Sequence, residues 1–261
     1  MISVIVSTRK NSNELQPFIT GLDKSIGITH EIILIQNEKK YSLSKAYNIG
    51  VEKAKFDYLC FVHDDVFFKI DNWGERLISL MKNDPVIGLV GVAGTKFKST
   101  YPSALGQSKI IRHLFMRGHI FHWGTKYTEF DQSVKPKEIE DVVCVDGVFL
   151  FTKREIFQSC RFDDIILTHF HGYDIDFSLQ VFFQSFRVIV DRGILLDHHS
   201  NGDYSKQNTS ANRKIGKKWM SKLPVATSDT HLSRFRLHYL DLLNWIYFLT
   251  MALKRKLHII R

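Results

Sequence analysis

Two adjacent carboxylates follow an apolar run in the first hundred residues. The run Tyr58–Val62 leads directly into His63, Asp64 and Asp65. Burying two carboxylates without partners is unfavourable, so a place at the end of a strand, where ligands bind, requires a compensating cation. Mg²⁺ or Mn²⁺ is typically held by one or two carboxylates together with substrate phosphates. The segment predicts a divalent metal site that carries phosphate; the alternative is a solvated turn in which one Asp caps the next helix.

A second pair of carboxylates, Asp174 and Asp176, lies at the start of a predicted helix over about residues 173–185. Positions two apart on a helix point about 200° away from each other, so only one of the two can face a given pocket. We expect one to be available as a general base and the other to cap the helix. The alternative is purely structural, because carboxylates at a helix N-terminus are favourable on dipole grounds alone.

A third candidate group is the histidine pair His198 and His199, which follows another predicted strand. A neutral imidazole is a common metal ligand, although a chain with 12 histidines brings some together by chance. Another candidate group, His113, His119 and His122, lacks zinc-motif spacing, which argues against a zinc hydrolase. Glycine-rich phosphate loops are also absent from the sequence, so phosphate binding must rely on a metal and side chains.

These residues belong to a regular alternation of apolar runs and helical patterns. Strands that are apolar on both faces and alternate with helices predict an α/β fold with a mostly parallel sheet covered on both sides. Ligands bind beyond the carboxyl ends of the strands in such sheets. The predicted strands are Ile2–Thr8, Glu31–Asn37, Tyr58–Val62 and Ile87–Ala93, and the predicted helices are Asn11–Ser25, Ser42–Lys55 and Asn72–Asn83.

The second half of the chain is less regular. Gly94–Asp141 is too long for an idle connection and is interpreted as an irregular, substrate-facing excursion. Order returns with the run Val142–Phe151 and a short helix from Lys153. Beyond the helix at 173–185, the pattern predicts two strands paired with each other, Arg187–Asp191 and Ile194–His198, about a turn at residues 192–193.

Composition sets the broad class of the protein. With 261 residues, of which 44% are apolar, the chain can bury one large core or two small ones, and general disorder is excluded. The three cysteines, Cys60, Cys144 and Cys160, are far apart and lie in apolar runs, as is typical of reduced buried thiols. The apolar start Met1–Val6 precedes its basic residues, unlike a signal peptide. We therefore expect a cytoplasmic location.

The basic excess of the chain lies entirely near its end. Residues 200–261 hold 12 basic and 3 acidic side chains, whereas residues 1–199 hold 24 of each. This tail either meets something anionic, such as lipid head groups, nucleic acid or a phosphorylated ligand, or is simply a solvated basic surface. Within it, Leu237–Ile260 has helical spacing with an unusually wide apolar surface. This helix is expected either to pack on the body or to lie in a membrane interface.

The order of these segments resembles the family 2 glycosyltransferases with the GT-A fold. The resemblance covers roughly residues 1–205 and divides them into a nucleotide-sugar-binding half, 1–95, and an acceptor and catalytic half, 96–205. It leaves 206–261 as a basic, helical C-terminal extension. The segments that carry it are Val4–Thr8, Glu31–Asn37, Leu43–Gly50, Phe61–Val66, Val145–Phe149, Gly172–Asp176 and His198–Gly202.

The resemblance implies roles for individual residues. Asp174 matches the catalytic base. The metal would be held by His63 and Asp65, which occupy the Asp-x-Asp position, and by His198 or His199. The nucleotide sugar would contact Thr8, Asn37, Lys45, Asn48 and Asp64, and the acceptor would contact Asp146, Gly147 and Tyr173.

The implied activity is a metal-dependent, inverting transfer of a hexose. The donor would be a nucleoside-diphosphate sugar, the cofactor Mn²⁺ or Mg²⁺, and the acceptor a hydroxyl of a glycan or lipid-linked molecule, as in polysaccharide biosynthesis. The tail suggests peripheral contact with an anionic inner membrane. Two alternatives are a nucleotidyltransferase, whose glycine- and basic-rich first loop is missing after Thr8, and a non-catalytic basic membrane- or RNA-binding protein. No nucleic-acid-binding motif supports the RNA version, so no nucleic acid partner is expected.

Overall fold

A computed structural model describes residues 1–103, 105, 108–122, 128–129, 138–199 and 206–256. The helices are α1 (Ser12–Ser25), α2 (Leu43–Lys53), α3 (Trp73–Asn83), α4 (Lys109–Phe115), α5 (Tyr173–Phe183), α6 (Lys206–Trp219) and α7 (Arg234–Lys256). Short 3₁₀ helices cover Arg154–Gln158 and Ser228–Thr230. The strands are β1 (Ile2–Thr8), β2 (His30–Gln36), β3 (Tyr58–Val62), β4 (Val66–Phe68), β5 (Ile87–Gly91), β6 (Ala93–Thr95), β7 (Phe97–Lys98), β8 (Met116–His122), β9 (Thr128–Glu129), β10 (Ile139–Val142), β11 (Cys144–Val145), β12 (Phe149–Lys153), β13 (Arg187–Asp191), β14 (Leu196–His198) and β15 (Val225–Ala226).

A large, mostly parallel sheet forms the centre of the molecule. Among the described residues it has seven strands in the order β10-β13-β5-β12-β3-β1-β2. Strand β1 is parallel to β2 and β3, and β5 is parallel to β13, whereas β12 runs antiparallel between β3 and β5. The parallel arrangement brings the carboxyl ends of β1, β2 and β3 to one edge, where Thr8 ends β1, Asn37 follows β2 and His63 follows β3.

Both faces of this sheet are buried, as the continuous apolar strands predicted. On one face Val4 and Val6 of β1 pack in a cluster with Phe18 of α1 and Trp73 of α3. On the other face Ile5 packs in a second cluster, which includes residues of α2 and α5. Alternation of side chains along β1 therefore sends successive residues into two separate cores.

Local signals in the sequence account for the helix starts. The Asn11 side chain accepts hydrogen bonds from the backbone of Asn13 and Glu14, and the Glu14 carboxylate accepts one from the Asn11 backbone. This reciprocal capping box begins α1 at the predicted place. Ser42 caps α2 by accepting from the Lys45 backbone. Both helices therefore lie within a few residues of their predicted bounds.

A smaller sheet corrects one prediction. Strand β14 does not pair with β13; it joins β4 and β8 in a second sheet ordered β11-β6-β8-β14-β4. The physical reason is that β13 already has a neighbour on each side, β5 and β10. The turn at 192–193 therefore carries the chain from one sheet to the other, which brings His198 opposite Val66, just beyond the tip of β3.

The irregular excursion predicted over 94–141 is also more ordered than expected. Its described residues contain α4, the strands β7, β8 and β9, and parts of β6 and β10. Most of these strands are short and most of their pairings are with distant segments, so local periodicity does not reveal them. The predicted strand Ile87–Ala93 is divided between β5 and β6, which lie in different sheets. The local sequence does not show this division, because it depends on the distant partners of each strand.

The last two helices pack against the body. Ala211, Ile215 and Trp219 of α6 are buried in a cluster with residues of α5. Leu237 and Leu240 of α7 pack against a small cluster around Phe97. No helix among the described residues combines the length and apolarity needed to cross a bilayer.

Candidate active site

Three side chains that could bind a metal converge beyond β3. One ligand atom each from His63, Asp65 and His198 lie within 4.8 Å of one another, the only such group among the described residues. Nε2 of His198 is 3.3 Å from Oδ1 of Asp65 and 3.4 Å from Nδ1 of His63. His63 and Asp65 follow β3, and His198 ends β14. The pairing of β14 with β4 brings these segments together.

The contact of His63 with Tyr173 indicates which ring nitrogen of His63 carries the proton. Nε2 of His63 is 2.9 Å from the Tyr173 hydroxyl, and that hydroxyl donates its hydrogen to the Gly147 carbonyl at 2.8 Å. The hydroxyl is then an acceptor toward His63, so Nε2 carries the proton and Nδ1 presents a lone pair toward His198. Burial and the neighbouring His198 lower the pKa of His63, which favours this neutral form.

These residues fit a divalent transition metal. Burial opposes ionisation of Asp65, but the nearby His198, His63 and Lys10 outweigh it and lower the pKa of the carboxyl group. The group therefore offers a carboxylate and two imidazoles, one of them with its lone pair oriented by Tyr173. Such a mixed donor set suits a first-row transition ion, whereas Mg²⁺ prefers oxygen ligands.

The predicted base, Asp174, is connected to the metal group through Gly147. Its Oδ2 accepts a hydrogen bond from the Gly147 backbone at 3.2 Å. Burial, and secondarily the negative charge of Asp146, raise the pKa of Asp174 to about 7. Gly147 is thus bonded both to Asp174 and to the tyrosine that contacts His63. This chain of contacts joins the metal group to the start of α5.

The turn at Asp146 and Gly147 is shaped by these contacts. The Asp146 carboxylate accepts from the Val148 backbone at 3.0 Å, which holds the turn closed. A Cβ atom at Gly147 would lie 2.2 Å from the Tyr173 hydroxyl and 2.9 Å from the Asp174 Cβ. Only glycine therefore allows this close approach. The predicted acceptor role of Asp146, Gly147 and the buried Tyr173 stays a prediction.

Asp176 has a different function from the one predicted. It does not cap α5, whose N-cap is Gly172. Its carboxylate is fully buried and accepts hydrogen bonds from Lys218 at 2.9 Å and from the Trp219 indole at 2.8 Å, both in α6. The prediction that the two carboxylates face different ways is confirmed, with Asp176 turned toward α6.

Asp64 is held at the end of β1. Its carboxylate accepts a hydrogen bond from the Thr8 hydroxyl, and its backbone carbonyl accepts one from Lys10 at 2.8 Å. The Lys10 ammonium also lies 3.2 Å from the carboxylate. Lys10 was not singled out in the sequence. Its place two residues after a strand end that carries Thr8 was the signal that could have found it.

The other residues predicted to contact the donor are held by contacts within the protein. Asn37 follows β2, and its side-chain amide donates to the Ser7 hydroxyl at 3.1 Å. Lys45 forms an ion pair with Asp164 at 3.3 Å. Asn48 is buried, and its amide donates to the Phe162 carbonyl at 2.8 Å. These contacts fix the three side chains within the fold, and their roles toward a nucleotide sugar stay predictions.

His199 and Phe170 complete the surroundings of the metal group. The backbone of His199 donates to the Asp65 carbonyl at 2.9 Å, and its ring packs on Phe67 at 4.6 Å between centroids. His199 is not in the three-residue group, so a role as metal ligand stays a prediction. The ring of Phe170, which sequence reasoning did not select, lies 5.6 Å from that of His63 and is half exposed. Residues 200–202 of the motif after His199 lie outside the described residues.

Comparison with known sequences decides the family. A sequence model of a glycosyltransferase-like family matches residues 2–219. The chain belongs to this glycosyltransferase-like family. The match extends through α6, the helix that binds Asp176, and leaves α7 outside. It confirms the resemblance seen in the sequence and agrees with the predicted enzyme class. No curated protein gives a significant match to the sequence.

Solved structures confirm the GT-A type of fold for this glycosyltransferase-like chain. A crystal structure of GalNAc-T7 with UDP, GalNAc and Mn²⁺ aligns with a TM-score of 0.59 at 12% identity, covering 85% of this chain and 48% of that one. This chain thus spans about half the length of that relative. A197 from STIV aligns over 77% of this chain and 86% of its own at 13% identity, but its TM-score of 0.43 is too low to indicate a shared fold.

Proposed function

We propose that this protein transfers a sugar from a nucleoside-diphosphate sugar to an acceptor hydroxyl, with inversion at the anomeric carbon. One observation carries the proposal: the metal group and the candidate base are joined by a short series of hydrogen bonds. His63 contacts Tyr173, Tyr173 donates to Gly147, and Gly147 donates to Asp174. A donor held at the metal group and an acceptor held at Asp174 would therefore meet.

Asp174 is the group proposed to take the proton. The acceptor oxygen forms a bond to the anomeric carbon as its proton passes to the Asp174 carboxylate. The bond from the anomeric carbon to the diphosphate oxygen breaks, and the nucleoside diphosphate leaves. A carboxylate with a pKa of about 7 is a stronger base than an ordinary aspartate and is still substantially ionised near neutral pH. A single base suffices because the displacement forms no covalent intermediate with the enzyme.

The residues His63, Asp65 and His198 would hold the cation. When bound, a divalent cation supplies positive charge that neutralises the departing diphosphate. The donor set leads us to propose Mn²⁺ before Mg²⁺ as the functional ion. The GalNAc-T7 structure, which contains Mn²⁺ and UDP, is consistent with this choice.

The nucleoside side of the donor is proposed to lie at the carboxyl ends of β1 and β2. Asp64 is held there by Thr8 and Lys10 and can accept a hydrogen bond from a ribose or sugar hydroxyl. Asn37 follows the neighbouring strand. On the acceptor side, the Asp146–Gly147 turn and Tyr173 lie next to the base, and a glycan or lipid-linked hydroxyl is the proposed acceptor class.

A panel of nucleoside-diphosphate sugars tests the proposal. The protein is incubated with each donor and with acceptor extracts, and release of nucleoside diphosphate is measured with Mn²⁺, with Mg²⁺ and with a chelator. We expect release from one or a few donors, more with Mn²⁺ than with Mg²⁺, and none with chelator. Full activity in chelator would overturn the metal role. Release of diphosphate from a nucleoside triphosphate, with no sugar donor consumed, would instead show a nucleotidyltransferase.

A further inference from the structure

The face of α7 that packs on the body carries two buried polar side chains, Asp241 and Asn244, beside the apolar Leu237 and Leu240. The Asp241 carboxylate is buried and accepts hydrogen bonds from the backbone and hydroxyl of Thr100, at 2.8 and 2.6 Å, and from the Ser99 hydroxyl. Asn244 is fully buried and accepts from the Ser108 backbone at 2.9 Å. These polar bonds are specific and fix which face of the helix is turned inward.

The opposite face of α7 is apolar and exposed. Six large side chains that are 51–80% exposed follow one another at alternating intervals of four and three residues. At ~100° per residue this spacing keeps them within about 80° of the helix circumference. They form the outer stripe: Phe235, Tyr239, Leu242, Ile246, Leu249 and Leu253. A continuous exposed stripe of this length marks an interaction surface.

The charges beside the outer stripe are all basic. Arg234 and Arg236 flank its beginning, and Lys254 and Lys256 flank its end, all four exposed. The one acidic residue of α7, Asp241, is buried on the inner face. Asp229, in the segment before α7, is bound to Lys96 at 2.6 Å. The stripe is thus bordered by cations that no acidic group of this helix offsets.

We propose that the outer stripe docks in the plane of an anionic lipid bilayer. Its apolar side chains would enter the boundary between head groups and acyl chains, and the flanking Arg and Lys residues would contact anionic head groups. Packing on the body and binding to a membrane, which the sequence presented as alternatives, are then properties of two faces of one helix. This inference is independent of the proposed reaction, because it concerns a surface outside the active site.

A second copy of the chain fits the stripe less well. Two α7 helices packed through their outer stripes, parallel or antiparallel, would bring Arg234 and Arg236 close to basic ends of the partner helix. No exposed acidic residue of α7 is available to pair with them. Coiled-coil partners normally carry complementary charges at these flanking positions. Charge therefore favours lipid over self-association.

Vesicle flotation of the full chain tests the proposal. We expect binding to vesicles of phosphatidylcholine with 30% phosphatidylglycerol, and at least tenfold weaker binding to pure phosphatidylcholine. The variant Leu242→Gln/Ile246→Gln/Leu249→Gln should lose at least tenfold in partitioning. The matched control Ile165→Gln/Met220→Gln removes exposed apolar residues outside α7 and should bind like wild type. Equal binding of wild type to both vesicle types would overturn the proposal. Wild-type binding by the stripe variant would overturn it as well.

The charge requirement has its own control. Changing Arg234, Arg236, Lys254 and Lys256 to Gln should weaken binding to anionic vesicles at least tenfold. The control changes four exposed lysines outside α7 to Gln, namely Lys24, Lys40, Lys53 and Lys82. It alters the net charge by the same amount and should weaken vesicle binding much less. Equal losses in the two variants would show that net charge alone, and not α7, directs binding, and would overturn the proposal.

A fluorescent label at a single site identifies what covers the outer stripe. This test does not depend on the stability of the multiply substituted variants. All three native cysteines are buried, so a single Leu249→Cys variant can be labelled with an environment-sensitive fluorophore. A blue shift on adding anionic vesicles, absent from a label at Lys82→Cys, is expected. A blue shift that appears with rising protein concentration in the absence of lipid, together with dimers in sedimentation, would assign the stripe to a second copy and contradict the proposal.

Discussion

Asp174 is the residue on which the proposed chemistry depends most directly. Asp174→Asn keeps the shape of the side chain but removes the proton acceptor, so the transfer rate should fall by about 10²- to 10⁴-fold. Donor binding, which we propose occurs at the metal group, should stay within a few-fold of wild type. Steady-state rates and calorimetric donor binding separate the two effects. Unchanged turnover would remove Asp174 from the mechanism.

The pKa of Asp174 also predicts a pH dependence of stability. In the folded state the pKa is raised to about 7, above its value in the unfolded chain, so folding favours the protonated form. Its stabilising contribution is complete below about pH 4 and is lost as the pH rises through 7. Melting temperatures of Asp174→Asn and wild type should therefore diverge between about pH 4 and 7, with the variant more stable at pH 8. Parallel curves would contradict the raised pKa.

Tyr173 is expected to tune the metal site although it is not a proposed ligand. Tyr173→Phe removes the group that accepts from Nε2 of His63 and so loosens the orientation of Nδ1. We expect Mn²⁺ affinity to fall by about 10- to 100-fold, the usual cost of losing such a supporting bond. Electron paramagnetic resonance titration of Mn²⁺ measures it. Tyr58→Phe, at a distant tyrosine stacked on Phe151, is the control; equal affinities in both variants would show that Tyr173 is not coupled to the metal.

For individual residues, the sequence predicted the chemical groups of the site better than their contacts. His63, Asp65 and Asp174 were identifiable because they follow a buried strand or begin an amphipathic helix. The hydrogen bonds through Tyr173 and Gly147 could not be predicted, since they depend on residues about 110 and 26 positions apart in the chain meeting in space. Lys10 was missed because a lysine near a strand end is common.

At the scale of elements, α6 holds the start of α5 through the buried Asp176. Lys218→Met leaves this carboxylate without its cation, although the Trp219 and Gln180 bonds remain. The free energy of unfolding should fall by about 2–3 kcal/mol, less than the 3–5 kcal/mol typical of a fully buried pair, because Lys218 is partly exposed. Urea unfolding measures this.

The neighbouring Lys217→Met is the matched control for that prediction. Lys217 is exposed on the same helix, and its replacement should change the free energy of unfolding by less than about 0.5 kcal/mol. If the two variants are equally stable, the contact between α6 and Asp176 does not hold the start of α5.

The elements themselves were largely predictable, and their pairing was not. The strands β1 and β3 have the predicted bounds because buried apolar runs between helical patterns are unambiguous. The error at β14 arose because a tight turn between two strands usually makes a hairpin, whereas here both edges of β13 are occupied. Which strands are already paired is a property of the whole sheet and cannot be read from the local sequence.

For the whole molecule, the uneven distribution of charge indicated that the body and the basic tail have different roles. The body has equal numbers of acidic and basic residues and carries the candidate active site, while the basic excess lies in residues 200–261. The family match ends at residue 219, so α7 lies outside the matched region. That its apolar stripe faces outward could not be deduced from periodicity, since the helix is apolar over most of its circumference.

The central claim is that His63, Asp65 and His198 form one cation site that serves a diphosphate. The most direct measurement is Mn²⁺ binding, followed by electron paramagnetic resonance, in wild type and His198→Ala, with and without a nucleoside diphosphate. We expect one Mn²⁺ per chain, bound at least tenfold more tightly when the nucleotide is present, and loss of this binding in His198→Ala. Binding that is the same in both proteins and insensitive to nucleotide would contradict it.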